Sequence, residues 1–372
     1  MNENIYRTMK QKRLIIFIPS IEGGGVEKNL FIISDYLKDK IKDISLITVS
    51  NKFKSRFSRK IRFVSPKANF WDSIGRRKKF FVGLFLLFFQ ILKDRNALVF
   101  CFQGNVYCTL LCKLLGVKII VRSNSAPDGW SQNIFKYLVF KYVLGCADKI
   151  IVNSFDFKKK FKAKFNINTE CIYNPLNKNE IIKKSKIKNK IKFDKKKLKL
   201  INVGRLTDQK DQLTLLKAVN RIKNKIKLNL LIVGRGIEKE NLNKYIREND
   251  LSKYVKLIDF QNNPFHLIKS SDVFILSSLY EGLPNVLLES QALKKFIISS
   301  NCPTGPREIL LNGKAGFLFK VGDYTQLSNL ILKYSKNKKS SLKRILIGYK
   351  NLNRFDYKLN LKKYLKVIHS LI

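Results

Sequence analysis

The sequence predicts an α/β chain of two doubly wound domains, each a parallel sheet covered by helices on both faces. Three observations predict it. Short, continuous apolar runs alternate with helical stretches along nearly the whole chain, the pattern of strands buried on both sides. The alternation comes in two blocks, parted by a polar, lysine-rich stretch. The segments richest in turn residues and charge fall directly after the strand-like runs, at the sheet edge where such folds bind ligands.

The first domain is expected over 1–180. RLIIFIPS (13–20) reads as a strand, IEGGG as a loop and VEKNLFIISDYLKD (26–39) as a helix. FFVGLFLLFFQIL (80–92) is the longest apolar stretch, shorter than the roughly 18 residues that span a bilayer. It reads as a core helix; the other reading lays it in a membrane interface beside RRKK (76–79). VRSN (121–124) ends a further strand, and DKIIVNS with FDFKKKFKAKF (148–165) is a strand and its helix. The polar stretch 174–197 reads as an exposed linker. The second domain is expected over 198–350, with strands at LKLINVGR, LNLLIVGRG, YVKLIDF, DVFILSS and FIISS. The tail 351–372 is an amphipathic helix expected to pack back across the linker.

Composition excludes several chemistries. The two histidines, His266 and His369, leave little room for a Ser-His-Asp triad, and the six cysteines form no CxxC pair, which argues against a zinc site. LIIFI (14–18) continues like a buried strand and does not read as a secretory leader. No GxGxxG fingerprint is present, so a dinucleotide fold is poorly supported. Lysine and arginine number 74 against 27 acids, a net charge of +47. Such a surface attracts polyanions: an anionic membrane, nucleic acid or phosphorylated substrates. Nucleic-acid binding is the weaker reading, because no recognised module appears and the aromatics sit in core-like runs.

Against that positive background, two glutamates, Glu281 and Glu289, bracket a loop turning into a helix in SSLYEGLPNVLLESQAL (277–293). Pro284 suits a first helical turn, and the N–H groups around Asn285, Val286 and Leu287 form a seat for a phosphate. Carboxylates on either side are acceptors for paired sugar hydroxyls; the competing reading is that they only complement the helix dipole. VGRLTDQKD (203–211) places Arg205 and Lys210 around a turn after a strand, a pair of cations suited to a diphosphate. The glycine loop EGGGVEK (22–28) allows close backbone approach to a phosphate or an acceptor, or is a tight βα turn. Arg122 and Asn124 end a strand facing the same inferred cleft, and NCPTGPREILLNGKAGFLF (301–319), with Arg307 and Glu308, lies at another strand exit. Trp71 and Trp130 read as packing residues.

Together these motifs resemble glycosyltransferase family 4, the group 1 glycosyltransferases with the GT-B fold: two Rossmann-like doubly wound domains facing across a cleft. The resemblance covers nearly the whole chain, and rests on GGGVEK, NVGRLTDQKDQLTLLKA, VKLIDFQNNPF, EGLPNVLLE and CPTGPREIL. It implies a retaining hexosyl or N-acetylhexosaminyl transferase, metal-independent and without a cofactor. The donor would be a UDP-sugar. The acceptor would be a glycan, polyprenyl-diphosphate-linked, in bacterial surface polysaccharide synthesis. The enzyme would be cytoplasmic, peripheral on the inner face of the membrane, with no specific nucleic-acid partner. By resemblance Arg205 and Lys210 hold the phosphates, Glu281 the transferred sugar and Glu289 the ribose. The backbone of Gly282, Leu283, Pro284, Asn285 and Val286 contacts sugar and phosphate, Phe260 lines the base pocket, and Gly23, Gly24 and Gly25 form the family's glycine loop. One departure stands out: many members carry a histidine in the first domain near the sugar, whereas this first domain has none, and RSN (122–124) takes its place. A sugar-nucleotide epimerase of the same fold is the alternative reaction.

Overall fold

A computed structural model describes residues 13–124, 133–187, 191, 193–194 and 196–372. The chain divides into two compact units, Met1–Pro175 with Lys358–Ile372, and Leu176–Tyr357.

The first unit runs β1 (Leu14–Phe17), α1 (Gly25–Leu37), β2 (Ile44–Ile47), β3 (Ile61–Val64), α2 (Arg76–Lys93), β4 (Leu98–Cys101), α3 (Asn105–Leu114), β5 (Ile119–Ser123), α4 (Ile134–Gly145), β6 (Lys149–Val152), α5 (Phe155–Phe165) and β7 (Glu170–Cys171). Its sheet has the order β3-β2-β1-β4-β5-β6-β7, and every pairing is parallel. The central strands are mostly apolar because helices cover both sides; β1, β2 and β4 are buried at every position. One core lies between this sheet and α2–α5, built around Phe17, Leu87, Val99, Val121, Phe157 and Phe161.

The second unit runs α6 (Lys178–Lys184), β8 (Leu198–Val203), α7 (Gln212–Ile222), β9 (Leu228–Val233), α8 (Lys239–Glu248), β10 (Val255–Ile258), α9 (Phe265–Ser270), β11 (Val273–Leu276), α10 (Asn285–Ala292), β12 (Phe296–Ser300), α11 (Pro306–Ile309), β13 (Phe317–Phe319), α12 (Tyr324–Lys336) and α13 (Lys338–Asn351). Its parallel sheet has the order β10-β9-β8-β11-β12-β13. β8 and β9 pair in register from Leu198↔Leu228 to Val203↔Val233. The order reverses between β8 and β11, so the loops leaving their carboxyl ends lie side by side, the position at which open α/β sheets hold ligands.

Two expectations change, and the final helix takes a definite place. Part of the stretch read as an exposed linker is packed: Leu176, Ile181 and Ser185 are buried, and α6 contacts α9 and α10. Its lysines masked the few apolar residues that dock it. The final helix, α14 (Tyr357–His369), belongs almost entirely to the first unit. There Tyr364 is fully buried and its ring lies 6.1 Å from that of Phe100. The apolar helix α2 is a core helix on one side only. Lys79, Gly83, Leu87 and Ile91 are buried at four-residue spacing, while Phe81 and Phe85 are 73% and 63% exposed. Trp71 is half-buried against Phe70; Trp130 lies outside the described residues.

Candidate functional site

In the second unit the switch between β8 and β11 brings two predicted segments together. The loop after β8 carries Gly204, Arg205 and Lys210; the loop after β11 carries Ser277 to Pro284. They are stitched by three bonds: Leu279 N–H donates to the Gln209 carbonyl at 2.9 Å, Gln209 Nε2 to the Tyr280 carbonyl at 2.9 Å, and Ser277 Oγ to the Lys210 carbonyl at 2.9 Å. The result is an ion pair between Lys210 Nζ and Glu281 Oε1, with the two side chains only 15% and 8% exposed. Ser278 Oγ donates to the same carboxylate oxygen at 2.7 Å. A buried carboxylate needs such partners, because desolvation alone would disfavour its charge. Arg205 is exposed on the same loop, its Nη2 3.4 Å from Gln209 Oε1.

The strand exit turns into α10 through Gly282, Leu283 and Pro284, all buried. Pro284 is the N-cap and provides no side-chain cap, so nothing of its own side chain competes with an anion at this helix end. Asn285 and Val286 open the helix half-buried, and Glu289 follows one turn on, 6% exposed. The turn is held from the loop after β12. Glu281 N–H donates to the Pro303 carbonyl at 2.8 Å, and Thr304 Oγ1 donates to the carbonyls of Glu281 and Gly282 at 3.1 and 3.2 Å. Gly305, at φ +85°, approaches the Gly282 carbonyl so closely that a Cβ would stand 2.1 Å from that oxygen. Cys302, beneath this turn, has its thiol pushed up to about 12, first by burial and then by the Glu281 charge. Phe260, 43% exposed after β10, carries the Arg235 guanidinium 4.9 Å from its ring centroid. Arg307, exposed on α11, donates to Asn312 Oδ1 at 2.8 Å.

The residues expected in the first unit fare differently. Gly23, at φ +86°, and Gly25 are exposed, and Gly24 caps α1 without a side chain. A Cβ on Gly24 would meet Glu27 Oε2 at 2.9 Å. Arg122, expected to reach a substrate, is a correction: it is fully buried, with Nε donating to Tyr364 Oη at 2.9 Å and Nη2 to Asn174 Oδ1 at 2.6 Å. It ties α14 to the sheet. Position after a strand is not enough to face a ligand, since alternate residues of the exit point inward. Asn124 is half-buried, its Nδ2 donating to the Phe102 carbonyl at 2.8 Å.

Sequence reasoning missed several groups. Ser278 and Gln209 hold Glu281 and the two loops, and neither residue type signals this in a chain rich in polar turns. Gln103, after β4 and 92% buried by its 8% exposure, donates from Nε2 to Glu27 Oε1 at 3.3 Å. Its Oε1, like Asn124 Oδ1, makes no hydrogen bond to protein, which leaves both oxygens able to accept one.

Residues 183–351 match the family described as glycosyl transferases group 1. An uncharacterized glycosyltransferase of Methanocaldococcus jannaschii is 37% identical over a match that spans 50% of this chain and 48% of that protein, about half of each. The Campylobacter jejuni N-acetylgalactosamine-N,N'-diacetylbacillosaminyl-diphospho-undecaprenol 4-alpha-N-acetylgalactosaminyltransferase is 28% identical, over 83% of this chain and 86% of its own. Among solved structures, Anabaena HepE in complex with UDP-glucose shares the fold with a TM-score of 0.77 and 16% identity, over 96% of this chain and 99% of that one. Two parallel-sheet α/β units with these neighbours make the fold GT-B. The ion pair at the β8–β11 switch and the α10 start lie within residues 183–351, the part of the chain that matches the group 1 glycosyltransferases.

Proposed function

We propose that this glycosyltransferase moves a hexose or N-acetylhexosamine, with retention of configuration and without a metal, from a UDP-sugar to a glycan carried on a polyprenyl diphosphate, in bacterial surface-glycan synthesis. The observation that supports it most is the Lys210–Glu281 pair beside the start of α10, where the N-cap Pro284 makes no side-chain cap bond. A donor diphosphate seated on that helix end gains from its N–H dipoles. Arg205 forks onto phosphate oxygens and Lys210 adds a point charge, so charge growing on the diphosphate as the C1–O bond breaks meets fixed cations. The acceptor oxygen bonds to C1 on the same face, and its proton passes to the departing phosphate oxygen.

Glu281 accepts hydroxyls of the transferred sugar and keeps the Lys210 ammonium in position; Glu289 accepts the ribose hydroxyls. Gly282, Leu283, Pro284, Asn285 and Val286 provide backbone contacts, and Phe260 stacks on the base. In the first unit Gly23, Gly24 and Gly25 contact substrate, and the unpartnered oxygens of Asn124 and Gln103 accept its hydroxyls. A lipid-linked acceptor is supported by the diphospho-undecaprenol in the name of the Campylobacter relative; on this reading the enzyme works at the cytoplasmic face of the membrane.

The test is incubation with labelled UDP-sugars and a polyprenyl-diphosphate glycan, with and without EDTA. Transfer that survives EDTA and yields an α-linkage from an α-linked donor is expected. Strict metal dependence, inversion, or epimerised donor without transfer would refute it.

A further inference from the structure

We propose that the outer face of α2, α3 and α4 in the first unit docks on an anionic lipid bilayer. The proposal deepens the reading of a membrane-linked acceptor, on which its biological sense rests. Its observation is independent of the donor site.

α2 is apolar on both sides, and such a helix is ordinarily buried all round. Here the side away from the core is open. Phe81, Phe85 and Phe89 are 73%, 63% and 44% exposed at four-residue spacing, in one stripe. α3 contacts both α2 and α4, so the three form a continuous layer on one side of the sheet. α3 adds Tyr107 and Leu114, 62% and 76% exposed, seven residues apart on one face. α4 adds Phe135 and Tyr142, 72% and 65% exposed, at the same spacing. Single exposed apolar residues need no explanation, whereas a set repeated on three neighbouring helices does.

The charge around this layer selects the occupant. α2, α3 and α4 contain no acidic residue. Arg76, Arg77 and Lys78 stand exposed at the head of the α2 stripe. α5, joined to α4 by the stacked rings of Tyr137 and Phe165, turns Lys158, Lys159 and Lys162 to solvent. Aromatic and aliphatic tips ringed by lysine and arginine suit an interface of acyl chains under anionic headgroups. A second copy fits worse: a two-fold contact would set this cationic rim against itself. Among the described residues no helix is long and apolar enough to cross a membrane, so the face lies on the bilayer and does not span it.

The experiment is co-sedimentation of the full chain with vesicles of phosphatidylglycerol mixed with phosphatidylcholine, against phosphatidylcholine alone, with no donor or acceptor present. Binding to the anionic vesicles that weakens with salt is expected. Phe85→Ser with Leu114→Ser should lower it at least tenfold while leaving the melting temperature and UDP binding in place. Lys158→Glu with Lys159→Glu should lower it about fivefold for each lysine removed. Failure of the wild-type chain to bind anionic vesicles, or equal binding by the Phe85/Leu114 variant, overturns the proposal. So does a dimer in sedimentation velocity that this variant abolishes, which would make a second copy the occupant. Because lipid alone is the ligand, failure of the wild-type chain to dock while it still transfers to a soluble acceptor refutes this surface and not the reaction.

Discussion

Lys210 and Glu281 each compensate the other's burial, so removing one exposes the cost of the other. Lys210→Ala should lower transfer by about 100-fold or more, as loss of one electrostatic stabiliser typically does, and lower unfolding stability by about 3 kcal/mol. The paired change Lys210→Met with Glu281→Gln should cost less stability than the two single changes added together, because no unpaired charge remains. Denaturant titrations of the four proteins check the stability claim and labelled-donor assays the rate. Asp211 poses a different balance. Burial raises its pKa, although its side chain caps α7 by accepting from Thr214 N–H. A carboxyl whose folded pKa lies above its unfolded value costs stability once ionised, and that cost disappears as pH falls below the unfolded value. Asp211→Asn keeps the capping oxygen and tolerates the φ of +44°. It should therefore gain stability over wild type as pH rises through the carboxyl range, whereas Asp211→Ala should lose about 1 kcal/mol or more at any pH. Thermal melts across pH separate the two.

At the scale of elements, the proposed donor site depends on close backbone crossings more than on side chains. The turn between β11 and α10 is positioned by the loop after β12, through Thr304 and Gly305. The exit of β8 is positioned likewise by Gly234, where a Cβ would stand 1.9 Å from the Gly204 carbonyl oxygen. Gly305→Ala combines such a clash with a positive φ, and should lower stability by about 2 kcal/mol or more. It should raise the KM for donor through the shifted Gly282–Val286 backbone, while Gly75→Ala, where a Cβ meets nothing within 4 Å, should change neither. Steady-state kinetics and melting curves on both variants decide. These crossings explain why the two segments could be singled out from spacing while their mutual contact could not: the glycines that permit it lie at the end of LNLLIVGRG and in CPTGPREIL, and neither run names the backbone it approaches.

Over the whole molecule the excess of positive charge has a local meaning. Spread through the chain it only favours polyanions. The structure gives parts of it distinct surroundings, among them the buried Lys210 beside a carboxylate and the exposed basic residues around the apolar face of α2–α4. The same 18-residue helix shows why hydrophobicity alone was ambiguous: a period of 3.6 with apolar residues on every side reads as core, and only the number of layers packed against it decides which side meets solvent.

The alternation of strands and helices, the parallel character of both sheets and the two segments holding Lys210 and Glu281 were legible from the residues, because continuous apolar runs between helices admit few arrangements and because motifs follow strands. The pairing of Lys210 with Glu281, the burial of Arg122 under Tyr364 and the docking of α6 were decided by tertiary structure. Each joins residues distant in sequence, and which side chain turns inward at a strand end is set by the element packed over it, here a helix more than 200 positions away.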